Sequence, residues 1–163
     1  MRFVYIILIN MIFIGCSSVS VDKLWQTHKQ QADYRAKLLK TQQAILDMDY
    51  DNKIYIIATY INQFNKTKDN KERFIISLYD DSDSLQLQKD YFVQLSSLFP
   101  INIKRLNQND KLLNNISFKT EWKKYYLVEF PVVDRDKLYL TFTNKNNVQV
   151  KLYFAKRAKY TIK

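Results

Sequence analysis

Few residues in this chain have the side chains that nucleophilic catalysis or metal binding requires. Its 163 residues include one histidine, one cysteine and one glycine. An activated nucleophile needs a serine or cysteine beside a histidine, and structural zinc needs four nitrogen or sulfur ligands. His28 and Cys16 cannot supply such a set, and Gly15 alone cannot build a glycine-rich phosphate loop. The sequence therefore predicts a non-enzymatic protein without a cofactor or a metal.

Two acidic clusters are the only candidates for a calcium site. They are Asp80-Asp81-Ser82-Asp83 and Asp134-Arg135-Asp136. Calcium requires several carboxylates from adjacent loops. If about seven strands alternate in direction, however, these two loops fall at opposite ends of the domain, and Arg135 would repel a cation. We therefore interpret both clusters as solvated turns.

Positive charge is the more distinctive signal, because the formal net charge is +10 and no acidic residue follows Asp136. The charge belongs to residues 53–163, which hold twenty Lys or Arg against eleven Asp or Glu. The candidate residues for binding an anionic ligand lie in the last two strands and just beyond them: Lys145, Lys151, Lys156, Arg157 and Lys159. The alternative interpretation is a generally basic surface with no specific ligand.

The N-terminal segment predicts export and attachment to a membrane. Arg2 precedes twelve mostly apolar residues, Phe3 to Ile14. A membrane-spanning helix needs roughly 20 such residues, so this run is typical of a signal-peptide core. Phe13-Ile14-Gly15-Cys16 resembles the cleavage and lipid-attachment site of bacterial lipoproteins, although Phe13 stands where those proteins usually carry an aliphatic residue. The alternative is an ordinary secretory signal.

The resemblance to lipoproteins implies where the mature chain starts and where it resides. Cleavage before Cys16 would remove residues 1–15, and acylation of the Cys16 thiol would anchor the protein to a membrane. Because Cys16 is the only cysteine, no disulfide can form. Ser17 stands where an aspartate usually retains lipoproteins of Gram-negative bacteria in the inner membrane. The resemblance therefore implies the cell envelope, and favours the periplasmic face of the outer membrane.

The stretch from Val21 to Asp49 has the periodicity of an amphipathic helix. Apolar residues recur every seven positions at Trp25, Ala32, Leu39 and Leu46, with polar residues between them. Such a stripe packs either on the same protein or on a helix of a partner. We expect one helix that ends at the polar residues 47–52.

From Lys53 onwards the apolar pattern changes to a period of two residues, which is typical of half-buried strands. The predicted strands lie near residues 53–62, 74–79, 90–95, 101–106, 122–130, 138–143 and 148–154. Asn144-Lys145-Asn146-Asn147 joins the last two, because asparagine tolerates the left-handed conformations that a tight hairpin requires.

The first predicted strand differs from the others because it is apolar on both faces. Ile54 and Ile56 alternate with Tyr55 and Ile57, so both faces of this strand should be covered. Residues 53–64 also fit a helical period. A helix there remains an alternative, although the β-branched residues favour a strand.

These patterns predict an all-β protein with an N-terminal amphipathic helix. We expect an antiparallel, immunoglobulin-like β-sandwich of about seven strands. The expected organisation is a signal peptide at 1–15, a lipidated N-terminus with the helix at 16–52, and the sandwich at 53–163.

Two functional hypotheses follow from the predicted fold and location. The first is an envelope lipoprotein that binds another protein as an accessory or assembly subunit. The second is a binder of an anionic envelope glycan or lipid through the basic C-terminal hairpin. Nucleic acid is not an expected partner outside the cytoplasm. Trp122, Tyr125 and Tyr126 are interpreted first as core residues and second as an aromatic binding platform.

Overall fold

The computed structural model describes residues 21–49, 52–62, 70–80, 87, 89–121 and 123–156. The chain divides into two compact units, residues 1–34 and 35–163. Helix α1, Val21–Leu39, spans this division, and its residues 26–36 are exposed. No helix among the described residues has the length and apolar character that crossing a bilayer requires.

The prediction that the helix continues to Asp49 is wrong. Helix α1 ends at Leu39, and strand β1, Thr41–Asp49, follows it directly. Strand β1 pairs antiparallel with β2, Asn52–Tyr60, so Leu46 lies opposite Ile54 and is buried. Pairing with a neighbouring strand outweighs the local helical pattern in this segment. Strand β2 provides hydrogen-bond partners for the backbone of β1, and the pairing places Leu46 on the core face. The predicted boundary at Lys53 therefore falls at the second residue of β2, within a pair of strands rather than between a helix and a sheet.

Together with β1 and β2, the remaining strands form two antiparallel sheets, as the alternating pattern predicts. Their bounds are β3 Lys71–Asp80, β4 Tyr91–Leu95, β5 Asn102–Leu106, β6 Lys124–Pro131, β7 Lys137–Asn144 and β8 Gln149–Ala155. The five-stranded sheet has the order β1-β2-β3-β6-β5, and the three-stranded sheet has the order β4-β7-β8. Strand β2 excludes the helical alternative for residues 53–60. The described residues thus hold eight strands rather than about seven, and β1 is the additional one.

One apolar core joins the inner faces of the two sheets. Phe74 of the five-stranded sheet and Phe154 of the three-stranded sheet meet edge to face with ring centroids 5.1 Å apart. Ile56, Phe142 and Leu140 are each fully buried in the same cluster. The protein is therefore mostly β with one N-terminal helix.

The hairpin between β7 and β8 follows the prediction from its asparagines. Asn147 has a φ of 62°, in the left-handed region. The buried side chain of Asn144 accepts hydrogen bonds from the backbone N–H groups of Asn146 and Val148, both at 2.9 Å. Asparagine thus provides the turn in a segment that contains no glycine.

The connection between β5 and β6 folds over the outer face of the five-stranded sheet. It contains a 3-10 helix, Lys111–Asn115, which Asp110 caps by accepting a 2.9 Å hydrogen bond from the Leu112 N–H. A second apolar cluster forms beneath it, made of Ile61, Ile75, Leu106, Leu113, Ile116 and Tyr125. This connection therefore covers the part of the outer face that β3 and β6 form.

Candidate binding surface

Two of the lysines predicted to bind an anion are engaged with carboxylates of the protein itself. The Lys145 Nζ lies 3.1 Å from Asp90 Oδ1, and the Lys156 Nζ forms an ion pair with Glu72. Lys151 is exposed on β8. Arg157 and Lys159 lie outside the described residues, as does the predicted lipid-attachment residue Cys16. Only one of the three described cations is therefore exposed without a carboxylate within ion-pair distance.

These three lysines are also far apart along the hairpin. Lys145 lies in the turn before β8 and Lys156 follows its last residue, so the seven residues of the strand separate them. At about 3.3 Å per residue the two ends of such a strand are roughly 20 Å apart. The fold therefore does not bring these residues together into one anion-binding cluster.

Glu72, the buried carboxylate that pairs with Lys156, lies at one end of the sandwich and binds groups from several segments. Glu72 is 2% exposed, and its Oε2 accepts a 2.7 Å hydrogen bond from the Tyr60 hydroxyl. Asn62 Nδ2 and the Val133 N–H donate to the same carboxylate at 3.3 and 3.2 Å. Burial raises the pKa of Tyr60 most. The hydrogen bond to Glu72 and the negative charge of Glu72 raise it further. This set of contacts is a structural link between strands and loops.

The aromatic residues of β6 belong to the core, as their first interpretation predicts. Tyr125 and Tyr126 are 1% and 4% exposed. The Tyr125 hydroxyl accepts from the Thr120 N–H at 2.7 Å and donates to the Thr120 carbonyl at 3.1 Å. Trp122 lies outside the described residues. Neither tyrosine can therefore serve as a surface platform.

The acidic clusters lie at the end of β3, where Asp80 is the last strand residue, in the connection before β7, or outside the described part of the chain. Asp134 and Asp136 are exposed in the connection between β6 and β7, whereas residues 81–83 are not described. Within the described ranges, no group of three or more His, Cys, Asp or Glu side chains is arranged to hold a metal ion. His28 is exposed on α1.

An open apolar groove lies on the outer face of the five-stranded sheet, beside the covered part. Its volume is about 670 Å³, and Gln43, Ala44, Ile45, Tyr55, Ile56, Ile57, Tyr79 and Lys123 line it. Ile45 and Tyr55 are 53% and 41% exposed. Large apolar side chains that lie together on an otherwise covered sheet mark a surface that another molecule can cover.

Strand register explains why these side chains meet. Ile45 of β1 pairs with Tyr55 of β2, and Tyr55 pairs with Tyr79 of β3. Paired residues point to the same side of a sheet, so the three form one row across three strands. The rings of Tyr55 and Tyr79 are 5.9 Å apart. We call Ile45, Tyr55, Ile57 and Tyr79 the groove floor.

The groove carries little charge, which determines what it can bind. Lys123 is the only charged residue among the described residues that line it, and burial lowers the pKa of this lysine. A neighbouring depression of about 370 Å³ shares Gln43 and Ile57 with the groove and extends to Leu38 and Phe118. Phe118 is 46% exposed. The surface therefore suits an apolar or aromatic segment of a partner and offers little to a phosphate or an acidic sugar.

Sequence reasoning missed the groove as a site, although it found the relevant signal. Strand β2 is apolar on both faces, and this pattern predicted cover on both sides. Ile56 is fully buried on the inner face, whereas Tyr55 is substantially exposed on the outer face. The outer face of β2 thus carries the apolar residues of a covered surface, although Tyr55 on that face is left partly exposed to solvent.

Comparisons with protein-family models, with curated proteins and with solved structures find no match for this chain.

Proposed function

We propose that this chain is a non-enzymatic, lipid-anchored protein of the cell envelope that binds another protein through the groove floor. The observation that carries the proposal is the row of Ile45, Tyr55 and Tyr79 on a sheet face that the protein covers elsewhere with its own β5–β6 connection. Apolar and aromatic side chains of this kind dominate the central contacts of protein interfaces.

The finer classification of the fold is part of the same proposal. The β domain is an immunoglobulin-like sandwich with β1 added at its N-terminus. The order β2-β3-β6-β5 opposite β4-β7-β8 supports this, because constant-type immunoglobulin domains place their first, second, fifth and fourth strands opposite the third, sixth and seventh. Sandwiches of this kind serve many functions, so the groove and not the fold carries the functional argument.

The proposed location depends on Cys16. Acylation of this residue after cleavage at Gly15 anchors the protein to the periplasmic face of the outer membrane. The support is the sequence Phe13-Ile14-Gly15-Cys16 after a short apolar run. A Cys16→Ser chain should lose its mature lipidated form, which mass measurement and membrane fractionation would detect. A cleaved Cys16→Ser product that stays quantitatively in the membrane would contradict the anchor.

Partner binding can be tested with one variant in the groove and a matched variant on the other sheet. Ile45→Lys places a charge on the groove floor, whereas Tyr153→Lys places the same charge at a residue of the three-stranded sheet that is 68% exposed. We expect a stoichiometric protein partner to copurify from detergent-solubilised membranes at high salt with the native chain and with Tyr153→Lys. Ile45→Lys should lose it.

Other outcomes of the same experiment would replace the proposal. Retention of the partner by Ile45→Lys, with loss in Tyr153→Lys, would assign binding to the three-stranded sheet. Salt-labile binding to lipopolysaccharide or peptidoglycan, without a stoichiometric protein, would instead support the basic C-terminal hairpin as the binding element.

A further inference from the structure

The loop between β4 and β5 exposes consecutive apolar residues at one end of the sandwich. Leu98, Phe99 and Ile101 are 38%, 66% and 53% exposed, and Pro100 lies between the last two. We call residues 98–101 the apolar tip. Val132, in the loop that follows β6, is 50% exposed. Single exposed apolar residues are common on the surfaces of soluble proteins, but a run of four apolar residues in one loop is unusual.

Backbone hydrogen bonds hold the apolar tip in place. Leu95 and Leu98 exchange N–H to carbonyl bonds of 2.9 and 2.8 Å, and Ser96 donates to the Tyr139 carbonyl at 2.8 Å. Ser96 and Ser97 between them have φ values of 49° and 73°, which non-glycine residues adopt only when the surroundings compel it. On the other side, the Ile101 N–H donates to the Glu129 carbonyl at 2.8 Å. The protein therefore presents these side chains on a fixed loop.

The chain from the N-terminus joins the β domain at the same end of the sandwich. Lys40, between α1 and β1, is buried, and its Nζ donates to the Ala155 carbonyl at 2.7 Å. Ala155 pairs with Lys137 at the start of β7, two residues before Tyr139, whose carbonyl accepts from Ser96. The apolar tip thus lies at the same end of the sandwich as Lys40, the residue between α1 and β1.

The charges at this end do not oppose an anionic membrane surface. In the connection before β7, Asp134 and Asp136 offset Arg135 and Lys137, and all four are exposed. Lysine and arginine close to a membrane are attracted to anionic headgroups.

The size of the apolar tip fits a bilayer better than a protein partner. The three exposed side chains of the apolar tip can bury an area on the order of a few hundred Å². A stable protein interface buries about 800 Å² on each partner. A bilayer interface sets no such minimum area, because it accepts short apolar segments among its headgroups. The proposed lipid anchor would already hold the protein close to the bilayer.

We propose that the apolar tip inserts into the membrane interface and holds this end of the β domain against the bilayer. The inference rests on the proposed membrane location of the protein and is independent of partner binding in the groove. The ligand is the acyl and headgroup region of phospholipids, and no covalent step is involved.

The test compares two exposed phenylalanines. Phe92 lies near the start of β4, and Phe99 lies in the loop that follows this strand. Phe99→Trp reports on the apolar tip, and Phe92→Trp is the matched control, because Phe92 is 55% exposed on the three-stranded sheet. Both are made in the full chain with Trp25→Phe and Trp122→Phe. The lipidated protein is reconstituted in vesicles of phosphatidylethanolamine and phosphatidylglycerol with brominated acyl chains. We expect loss of most tryptophan emission at position 99 and little loss at position 92.

Three results would overturn the inference. They are equal quenching at both positions, no quenching at position 99, or emission at position 99 that is shielded from an aqueous quencher but insensitive to brominated lipid, which would indicate contact with protein. If replacing the native tryptophans lowers the melting temperature, the same comparison is made with them retained, as the difference from the parent chain.

Failure of the lipid anchor is detected separately. A mass measurement showing unmodified Cys16 would contradict the anchor. The quenching comparison would then be made on that protein mixed with the same vesicles. Selective quenching at position 99 would support the apolar tip, and its absence would overturn it. Loss of the groove partner in Ile45→Lys affects neither result.

Discussion

Two buried carboxylates determine what several cations of this basic chain do. Glu72 lies on the inner face at the end of the sandwich and pairs with Lys156. Glu129 lies on the outer face, where Arg73 Nε donates to its Oε1 at 2.8 Å and Asn102 Nδ2 to its Oε2 at 3.1 Å. A charge count from the sequence treats such lysines and arginines as available for a ligand, whereas here they stabilise the fold.

The lysines that pair with Glu72 and Asp90 should differ strongly in their effect on stability. Lys156→Met leaves the Glu72 carboxylate buried without its cation, and removing one partner of a buried pair costs about 3–5 kcal/mol. Lys145→Met breaks an ion pair in which the Lys145 side chain is 63% exposed. Exposed pairs contribute about 0–1 kcal/mol. Urea unfolding of both variants measures the difference, and equal losses would contradict the structural role of Lys156.

Glu129 should make the stability of the protein depend on acid pH. The hydrogen bond from Arg73 lowers the pKa of Glu129 most, burial opposes it, and Asn102 and Lys71 lower it further. Because the pKa in the folded state is below the ordinary value of 4.5, the contribution is fully present above that pH. It is lost as the pH falls through the folded-state pKa.

The corresponding variant is Glu129→Gln. Hydrogen bonds to charged groups contribute about 1.5–3 kcal/mol, so the variant should be less stable than the native chain by this order at neutral pH. The difference in free energy of unfolding should shrink in acid. Urea titrations at several pH values measure it, with the exposed Asp134→Asn as control. A difference that is independent of pH would show that Glu129 acts by packing alone.

At the scale of elements, strand β1 is the clearest case of tertiary contacts overriding a local pattern. Leu39 and Leu46 have the spacing of one helical stripe, yet Leu39 ends α1 with 59% of its surface exposed and Leu46 is buried in β1. In a strand, neighbouring side chains point to opposite faces. Leu46 therefore faces the core while Ile45 belongs to the groove floor.

This alternation predicts unequal losses of stability for substitutions at two adjacent residues. Leu46→Ala should cost about 2–5 kcal/mol, as for other buried leucines. Ile45→Ala should cost less than about 1 kcal/mol, because it removes an exposed side chain and some strand propensity. The free energies of unfolding of the two variants provide the measurement. Similar losses would contradict the observed register of β1.

At the scale of the whole molecule, one core serves both sheets. The cluster includes inward-facing residues of β1, β2, β3 and β6 and of β4, β7 and β8. Neither sheet can lose its partner without exposing this surface to water, so residues 35–163 should unfold in a single transition.

A fragment that begins at Arg35 tests this expectation. It retains Lys40 and its hydrogen bond to Ala155, together with all eight strands. We expect the fragment to unfold in urea with the same midpoint as the full chain, because residues 1–34 form a separate compact unit. Circular dichroism and intrinsic fluorescence should give coincident curves. A lower midpoint would show that the first unit stabilises the second.

Much of the β architecture was predictable because it depends on local patterns. Alternation over β3, β7 and β8 identified strands, since a two-residue period places alternate side chains on opposite faces of a sheet. Asn144 and Asn147 identified the turn for a similar reason, because their own backbone preferences suit it. Tyr125 and Tyr126 were expected in the core, where both are buried.

The residues of the candidate site were not predictable from the same patterns. The lysines of the C-terminal hairpin were selected by charge, but Glu72 lies 84 positions before Lys156, and no local pattern reveals that pair. The groove floor was visible only as an unexplained second apolar face on β2.

The sequence by itself determined which faces of most strands are apolar, where the last hairpin turns, and that the chain is basic. The tertiary structure decided that residues 41–49 join a sheet, that Lys156 pairs with the buried Glu72, and that the β5–β6 connection covers only part of an apolar face. The physical reason is one of range. Side-chain direction follows from the backbone of a few neighbouring residues, whereas pairing and cover depend on contacts between segments that lie far apart in the chain.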